Sequence, residues 1–156
     1  DHSLVRCAEV TEAVQQEVFN ALHRHHVALE HIILKPNMVL PGKDHSVRAS
    51  AEEVAAATMA VFLRTVPAAV PSINFLSGGM SPEESTENLN AMNAGFPDVP
   101  WLLSFSYGRA LQQPVLQAWQ GKEKNATAAQ QSLLKRARLN GAAQRGEYQS
   151  QIETSN

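Results

Sequence analysis

A lysine at the end of a short apolar run is the side chain in this sequence best placed for covalent chemistry. Ile32, Ile33 and Leu34 follow one another without polar alternation, which predicts a strand buried on both faces. Lys35 comes next, and Pro36 cannot donate to a sheet ladder, so we predict that the strand ends at the lysine. Burial disfavours the charged ammonium form, and a neutral amine can form a Schiff base with a carbonyl substrate. We therefore predict a Schiff-base role for Lys35; the alternative is a strand-end lysine whose head reaches solvent.

Two glycine-containing loops further along the chain could bind phosphate. Ser77, Gly78 and Gly79 follow a second apolar strand and precede a helix. Glycine lets the backbone approach an anion closely, and a helix amino terminus favours negative charge. Gly108 and Arg109 follow a third strand, and the guanidinium can bind phosphate through two parallel hydrogen bonds. Either loop alone is also typical of a simple turn, but the two together predict a phosphate site.

The elements that carry these residues alternate between strands and helices. Capping boxes, each a serine followed three residues later by a glutamate, predict two helix starts: Ser50 with Glu53, and Ser81 with Glu84. The second and third strands are predicted over 72–76 and 98–105. Such alternation favours parallel strands and an α/β fold. The residues chosen for chemistry all follow the carboxyl ends of strands, where (β/α)8 barrels build their active sites.

The first and last helices complete the predicted architecture. The first has an apolar stripe that should face the core, formed by Cys7, Val10, Val14, Val18, Ala21 and Leu22. It closes with three histidines, His23, His25 and His26. Their spacing does not suit zinc, whose helical ligands usually sit four residues apart, so we predict no metal site. The last helix should begin at Asn125 and end at Gly141, before a polar, loose tail over 142–156.

The bulk composition indicates one globular domain. Its 156 residues suffice for a core, and 44% hydrophobic and 18% charged residues are ordinary for a soluble protein. A net charge of −2 without a basic stripe argues against a nucleic-acid partner. No apolar run reaches the roughly 18 residues of a membrane span. Cys7 is the only cysteine, which excludes an internal disulfide and favours a reducing compartment.

The segments around these residues resemble class I fructose-bisphosphate aldolases. Similarity extends from about residue 4 to about residue 148, and the combination of motifs is very specific. The matching segments are 34–39 (Leu-Lys-Pro-Asn-Met-Val), 64–67 (Arg-Thr-Val-Pro), 75–79 (Phe-Leu-Ser-Gly-Gly), 88–93 (Asn-Leu-Asn-Ala-Met-Asn) and 105–112 (Phe-Ser-Tyr-Gly-Arg-Ala-Leu-Gln).

The resemblance implies an α/β fold over 1–156, with its core in 1–141. This would be the carboxy-terminal portion of a (β/α)8 TIM barrel, about strands 6 to 8 with their flanking helices. It also implies Lys35 as the Schiff-base lysine, sugar-phosphate substrates, no metal or other cofactor, a homotetramer, no membrane partner and a cytoplasmic location. The residues that it assigns to the substrate phosphate are Leu76, Ser77, Gly78, Gly79, Ser106, Tyr107, Gly108 and Arg109.

The sequence departs from the family pattern at a few positions. Met80 stands where a polar residue is common, and Leu40 replaces the usual threonine. His31 and Ile32 replace a small residue and a threonine on the lysine's strand, which could change packing beneath the site. The sequence also ends without the terminal tyrosine of animal enzymes, so we do not assign that tyrosine's closing role here.

Three strands are too few for a closed barrel, so we expect these residues to be part of a larger enzyme. The carboxylates that move protons would belong to its other strands, and the 156 residues alone should be inactive. Two alternatives remain open. One is another Schiff-base lyase or transferase on the same barrel, and the other is a non-catalytic protein that binds sugar phosphates or a partner.

Overall fold

The computed structural model describes residues 1–153, and a three-stranded parallel sheet forms the centre of this part. Its strands are β1 (Ile33–Leu34), β2 (Ser72–Phe75) and β3 (Leu102–Phe105). They pair in chain order, with Leu34 opposite Ile73 and Ile73 opposite Leu103. The α-helices around the sheet are α1 (Leu4–Arg24), α2 (Ala51–Thr65), α3 (Pro82–Gly95), α4 (Arg109–Trp119) and α5 (Ala126–Gln144). The predicted alternation of parallel strands with helices is confirmed.

Side-chain caps fix the starts of the two helices that follow β1 and β2. The Ser50 hydroxyl accepts a hydrogen bond from the Glu53 N–H at 3.2 Å, and the Ser50 N–H donates to the Glu53 carboxylate at 2.8 Å. Ser81 and Glu84 form the same reciprocal pair at the start of α3, with Pro82 as its first residue. Both predicted capping boxes are confirmed, and each satisfies two backbone donors that a helix start leaves unpaired.

One face of the sheet packs against the helices and forms the core. Ile73, Phe75 and Leu103 are almost fully buried on this face. The ring of Phe75 stacks on that of Phe62 from α2, with centroids 5.7 Å apart. These contacts fix β2 and β3 against the helix layer, which in turn fixes where the loops at their carboxyl ends emerge.

The opposite face of the sheet is open. Ile33 is 65% exposed and Leu102 is 58% exposed, whereas their strand neighbours Leu34 and Leu103 turn towards the helices. Successive side chains of a strand point to opposite faces. The prediction that the first strand is buried on both faces is therefore wrong for this chain. A sheet of three parallel strands cannot close on itself, and residues 1–153 leave Ile33 and Leu102 of this face largely exposed.

The apolar stripe of α1 is uncovered along its middle. Val10, Val14 and Val18 are exposed, whereas Cys7 and Leu22 at the ends of the stripe pack against the core. The prediction that the stripe faces the core is therefore confirmed only at its two ends. The helix instead buries a neighbouring face that contains Gln15 and Phe19. Since Gln15 accepts a hydrogen bond from the Thr65 hydroxyl of α2 at 2.9 Å, α1 packs on α2 through a partly polar seam. The valine stripe borders a groove of about 620 Å³ beside the end of β1.

The third strand is shorter than predicted. Regular pairing begins at Leu102, and residues 98–101 bend instead of extending the ladder. Pro100 has no N–H to donate, and the indole N–H of Trp101 donates to the Pro67 carbonyl at 3.0 Å. This side-chain contact holds the start of β3 beside the end of α2 without strand pairing.

Residues 142–153 are packed, in contrast to the loose tail expected over 142–156, whose last three residues lie outside the described part of the chain. Helix α5 continues past Gly141 to Gln144, and Gly146 takes the left-handed conformation (φ 69°) that ends many helices. Tyr148 is buried, and its N–H donates to the Asn90 side chain at 2.9 Å. Glycine at 141 is simply tolerated inside the helix, since neither of its backbone angles is unusual.

A buried ion pair fastens the end of the described segment. The guanidinium of Arg136, 4% exposed, donates from Nη1 to both oxygens of the Glu153 carboxylate at 2.7 and 2.8 Å. Its Nη2 donates to the Pro82 carbonyl at 2.8 Å, which links this contact to the start of α3.

Within residues 1–153, no helix has the length and apolar character needed to cross a bilayer.

Candidate active site

The structure brings the three predicted loops to one edge of the sheet. Lys35 follows β1 directly, and the loops that begin at Ser77 and Gly108 follow β2 and β3. Pairing continues past the regular strands, since the Leu76 N–H donates to the Pro36 carbonyl at 3.0 Å. Proline lacks a donor but keeps its acceptor, so the chain stays paired beyond the lysine. The residues that sequence reasoning chose for chemistry therefore lie side by side.

Lys35 lies on the open face of the sheet. A strand's side chains repeat every two residues, so Lys35 shares the face of Ile33. Its side chain is exposed, and it makes no hydrogen bond or ion pair with any residue of 1–153. It lines the groove along α1 together with Pro36 and Asn37. The burial predicted for this lysine is absent here, and its amine is accessible from the uncovered side.

The loop after β2 forms a tight glycine turn. The Met80 N–H donates to the Ser77 carbonyl at 2.9 Å and closes the turn, and Gly78 and Gly79 take positive φ angles of 57° and 85°. Only glycine adopts these angles without strain. Ser77 is 5% exposed, and its hydroxyl has no protein partner within 1–153. Met80, at the position where the resemblance expects a polar residue, is buried and contacts the Asn88 amide through its sulfur at 3.1 Å.

Arg109 points back towards this glycine turn from the start of α4. A Cβ atom built on Gly79 would lie 3.5 Å from Nη2 of Arg109, so the guanidinium reaches across from the neighbouring loop. Gly108, the residue before the helix, provides no side-chain cap and has open space around it. Helix amino termini favour anions, and here an exposed guanidinium adds a full charge. The two predicted phosphate-binding loops are therefore adjacent.

The three other residues predicted at the phosphate site take different positions. The side chain of Leu76 borders Gly78, where its Cδ1 would lie 3.4 Å from an added Cβ. Ser106 is half-buried next to the strand end, and its N–H donates to the Phe75 carbonyl at 2.8 Å. Tyr107 points into the core, where its hydroxyl donates to the Ser85 carbonyl at 2.7 Å.

Burial raises the pKa of the Tyr107 phenol well above its usual range, and the charge of Arg136 opposes this shift only in part. The phenol therefore stays protonated and donates to α3. Only the backbone of Tyr107 remains at the edge of the sheet. Its side chain would not contact a bound phosphate and would instead anchor the loop to α3.

Sequence reasoning missed one cation at this edge. Lys43 lies in the loop after β1, and its Nζ would be 2.8 Å from a Cβ atom at Gly79. A lysine in the loop after a barrel strand is itself a signal, because such loops build the active sites of this fold.

Residues 1–153 contain no group of three or more histidine, cysteine, aspartate or glutamate side chains placed to hold a metal ion.

Comparisons with known proteins agree on one family. A sequence model of the glycolytic family "Fructose-bisphosphate aldolase class-I" matches residues 1–156. Fructose-bisphosphate aldolase C of Rattus norvegicus is 52% identical over 149 residues, which are 96% of this chain and 41% of the relative. Fructose-bisphosphate aldolase B of Gallus gallus is 54% identical over 148 residues, with 95% and 41% covered.

A solved structure shares the fold. Fructose-bisphosphate aldolase from Plasmodium falciparum, crystallised with TRAP and a small-molecule inhibitor, superposes with a TM-score of 0.93 at 47% identity. The superposition covers 96% of this chain and 43% of that chain, so the described sheet and helices correspond to part of a TIM barrel. The chain spans about two fifths of the length of the relatives that it matches. By sequence and by fold, it belongs to the class I fructose-bisphosphate aldolase family.

Proposed function

We propose that this chain provides the imine-forming lysine and one phosphate site of a class I fructose-bisphosphate aldolase. The enzyme would cleave fructose 1,6-bisphosphate reversibly to dihydroxyacetone phosphate and glyceraldehyde 3-phosphate in glycolysis and gluconeogenesis. One observation carries the proposal. An accessible lysine on the open face of the sheet lies beside two loops suited to phosphate, and the Leu76–Pro36 hydrogen bond ties the two strands together.

The lysine would act as a nucleophile. The neutral amine of Lys35 attacks the C2 carbonyl of the open-chain sugar, and loss of water leaves a protonated imine. As the proton on the C4 hydroxyl leaves, the C3–C4 bond breaks and its electrons flow to the imine nitrogen. Glyceraldehyde 3-phosphate departs and an enamine remains on Lys35. Protonation at C3 and hydrolysis of the imine then release dihydroxyacetone phosphate and restore the amine.

The phosphate loops would orient the substrate. Ser77 offers a hydroxyl that has no partner among residues 1–153, Gly78 and Gly79 expose backbone, and Arg109 would supply charge-assisted hydrogen bonds. A phosphate held there fixes the carbonyl over the lysine. Orientation of this kind lowers the barrier of well-aligned intramolecular reactions by roughly 7–11 kcal/mol.

The remaining groups would come from the other strands of the complete barrel. The general base that removes the C4 hydroxyl proton is expected to be a carboxylate outside these residues. The imine draws electrons from the breaking bond, so the proposed route uses no metal ion. We also propose a cytoplasmic homotetramer, in keeping with the family and with sugar-phosphate substrates.

The test is cleavage of fructose 1,6-bisphosphate by the full-length protein and two variants. Lys35→Met keeps the length of the side chain and removes the nucleophile, and turnover should fall by at least about a thousandfold. Lys124→Met is the matched control, because it removes the same charge from an exposed turn after α4. Turnover by Lys35→Met close to that of the wild type would exclude the proposed role of Lys35.

A further inference from the structure

Lys43 and Arg109 approach the same glycine turn from two different loops. A Cβ atom built on Gly79 would lie 2.8 Å from Nζ of Lys43 and 3.5 Å from Nη2 of Arg109. Both nitrogens are therefore within 3.5 Å of a single point above the turn. Neither side chain makes an ion pair or hydrogen bond with any residue of 1–153. Two positive charges face this point without a carboxylate partner.

The backbone around Lys43 is held in place. Nη2 of Arg48 donates to the Lys43 carbonyl at 2.9 Å, and the Gly42 N–H donates to the carbonyl of His2 at 2.8 Å. The His45 N–H donates to the Gly42 carbonyl at 3.1 Å and closes a turn around the lysine. The loop therefore carries Lys43 to the glycine turn on a braced backbone.

The space between the loop and the turn is a cleft of about 320 Å³. Its lining includes Lys43 and Arg48 from the loop and Gly78 and Gly79 from the turn. Arg109 lies outside this lining and reaches the turn from the start of α4. The carboxylate of Glu84 also borders the cleft, but it accepts a hydrogen bond from the Ser81 N–H at 3.3 Å as the cap of α3. The cleft is thus large enough for a phosphate group and has more cationic than anionic side chains.

The ammonium of Lys43 and the guanidinium of Arg109 reach the same point and repel each other, and an anion bound between them would relieve this repulsion. A phosphate dianion has enough acceptor oxygens to bind an ammonium, a guanidinium and backbone N–H groups together. Glycine at 79 leaves the room for this, since any Cβ there would touch the Lys43 ammonium.

We propose that Lys43 is a second cation of the phosphate site, a binding residue that acts with Arg109 and favours dianionic phosphate. This inference rests on the proposed function, which already assigns Arg109 and the glycine turn to phosphate. It adds a recognition residue from the loop after β1, so that loops after all three strands take part in binding one group.

The test is calorimetric titration of inorganic phosphate into the full-length protein at low ionic strength. Lys43→Met should raise the dissociation constant about three- to tenfold, the range for an exposed charge-assisted contact. Lys43→Arg should restore binding to within about twofold of the wild type, because it keeps the charge. The effect of Lys43→Met should shrink in 0.5 M salt, which screens exposed charges.

Lys124→Met is the matched control and should bind phosphate like the wild type. Lys124 follows the carboxyl end of α4, whereas Arg109 begins that helix, whose length from Arg109 to Trp119 is about 15 Å. Thermal unfolding of each variant should match the wild type, since Lys43 and Lys124 are both exposed. If Lys43→Met aggregates, Lys43→Gln replaces it in the titration.

The outcomes separate this proposal from the one on which it rests. Wild-type affinity in Lys43→Met, with weaker binding in Arg109→Ala, refutes the role of Lys43 and leaves the proposed phosphate loops standing. Wild-type affinity in both variants refutes the phosphate site itself. Binding by Lys43→Arg as weak as that by Lys43→Met would show that charge at this position is not the cause.

Discussion

The N–H of Leu76 donates to the carbonyl of Pro36 over 3.0 Å, and this bond joins the two halves of the candidate site. Pro36 directly follows the lysine, and Leu76 directly precedes Ser77. Because the bond lies beyond the regular strands, it keeps the segment after Lys35 paired with the segment that leads into the glycine turn. A substrate bound through its phosphate at the turn would thus meet an amine on the adjacent strand.

Arg109→Ala should weaken the binding of bisphosphate much more than it changes the chemistry of a non-phosphorylated ketose. A lost charge-assisted contact to phosphate typically costs roughly 1.5–3 kcal/mol, which is about ten- to a hundredfold in affinity. Steady-state kinetics of the full-length protein on both substrates measure this difference. Arg138→Ala, which removes an exposed arginine of α5, is the control. An unchanged Michaelis constant for the bisphosphate in Arg109→Ala would refute the assignment.

Residues 1–156 expressed alone should show no measurable aldol cleavage and should self-associate. The open face of the sheet leaves Ile33 uncovered, the α1 stripe leaves Val14 uncovered, and β1 presents an unpaired edge. The lysine on that face is exposed, and the proposed general base would lie on strands outside these residues. Sedimentation velocity and a coupled cleavage assay test both statements. A monomeric, cooperatively folded chain that turns over fructose 1,6-bisphosphate would overturn our placement of the acid–base groups.

Tyr107→Phe should make the full-length protein less sensitive to alkaline pH. The folded pKa of this phenol lies above its unfolded value of about 10, so above pH 10 only the unfolded state loses the proton. Below pH 10, ionisation of this phenol leaves the stability of the folded wild type unchanged. Above pH 10 the free energy of unfolding falls by up to about 1.4 kcal/mol per pH unit, because the unfolded state ionises first. At neutral pH the variant should be about 1 kcal/mol less stable, because the hydrogen bond to the Ser85 carbonyl is gone.

Thermal unfolding of the wild type and of Tyr107→Phe at pH 7, 10 and 11 measures this effect. The gap between the two melting temperatures should narrow as the pH rises above 10. A gap that stays constant over this range would show that the Tyr107 phenol ionises equally in both states.

Local rules predicted much of this fold. Ser50 and Ser81 begin their helices with the partners expected three residues later, because capping is decided within one turn of chain. The order and direction of the strands also followed from their alternation with helices. The loops containing Ser77 and Arg109 could be placed at one edge for the same reason.

Burial could not be predicted from local pattern alone. Ile33 and Val14 belong to apolar patterns that normally face a core, but which surface covers them depends on strands and helices beyond this sheet. The end of α5 was missed because Gly141 and Gly146 both resemble helix terminators, and only Gly146 has the left-handed angle. Lys43 was missed although its loop follows a barrel strand, because the contact of that loop with Gly79 depends on the folded backbone and not on a local pattern.

Borohydride trapping tests most directly whether Lys35 bonds covalently to the substrate. Borohydride reduces a protonated imine to a stable secondary amine, so treatment of the full-length protein with dihydroxyacetone phosphate and borohydride should trap the adduct. Peptide mass mapping should then find the added mass on Lys35, and Lys35→Met should take up none. Label on a different lysine, or equal labelling of Lys35→Met, would show that the imine does not form on Lys35.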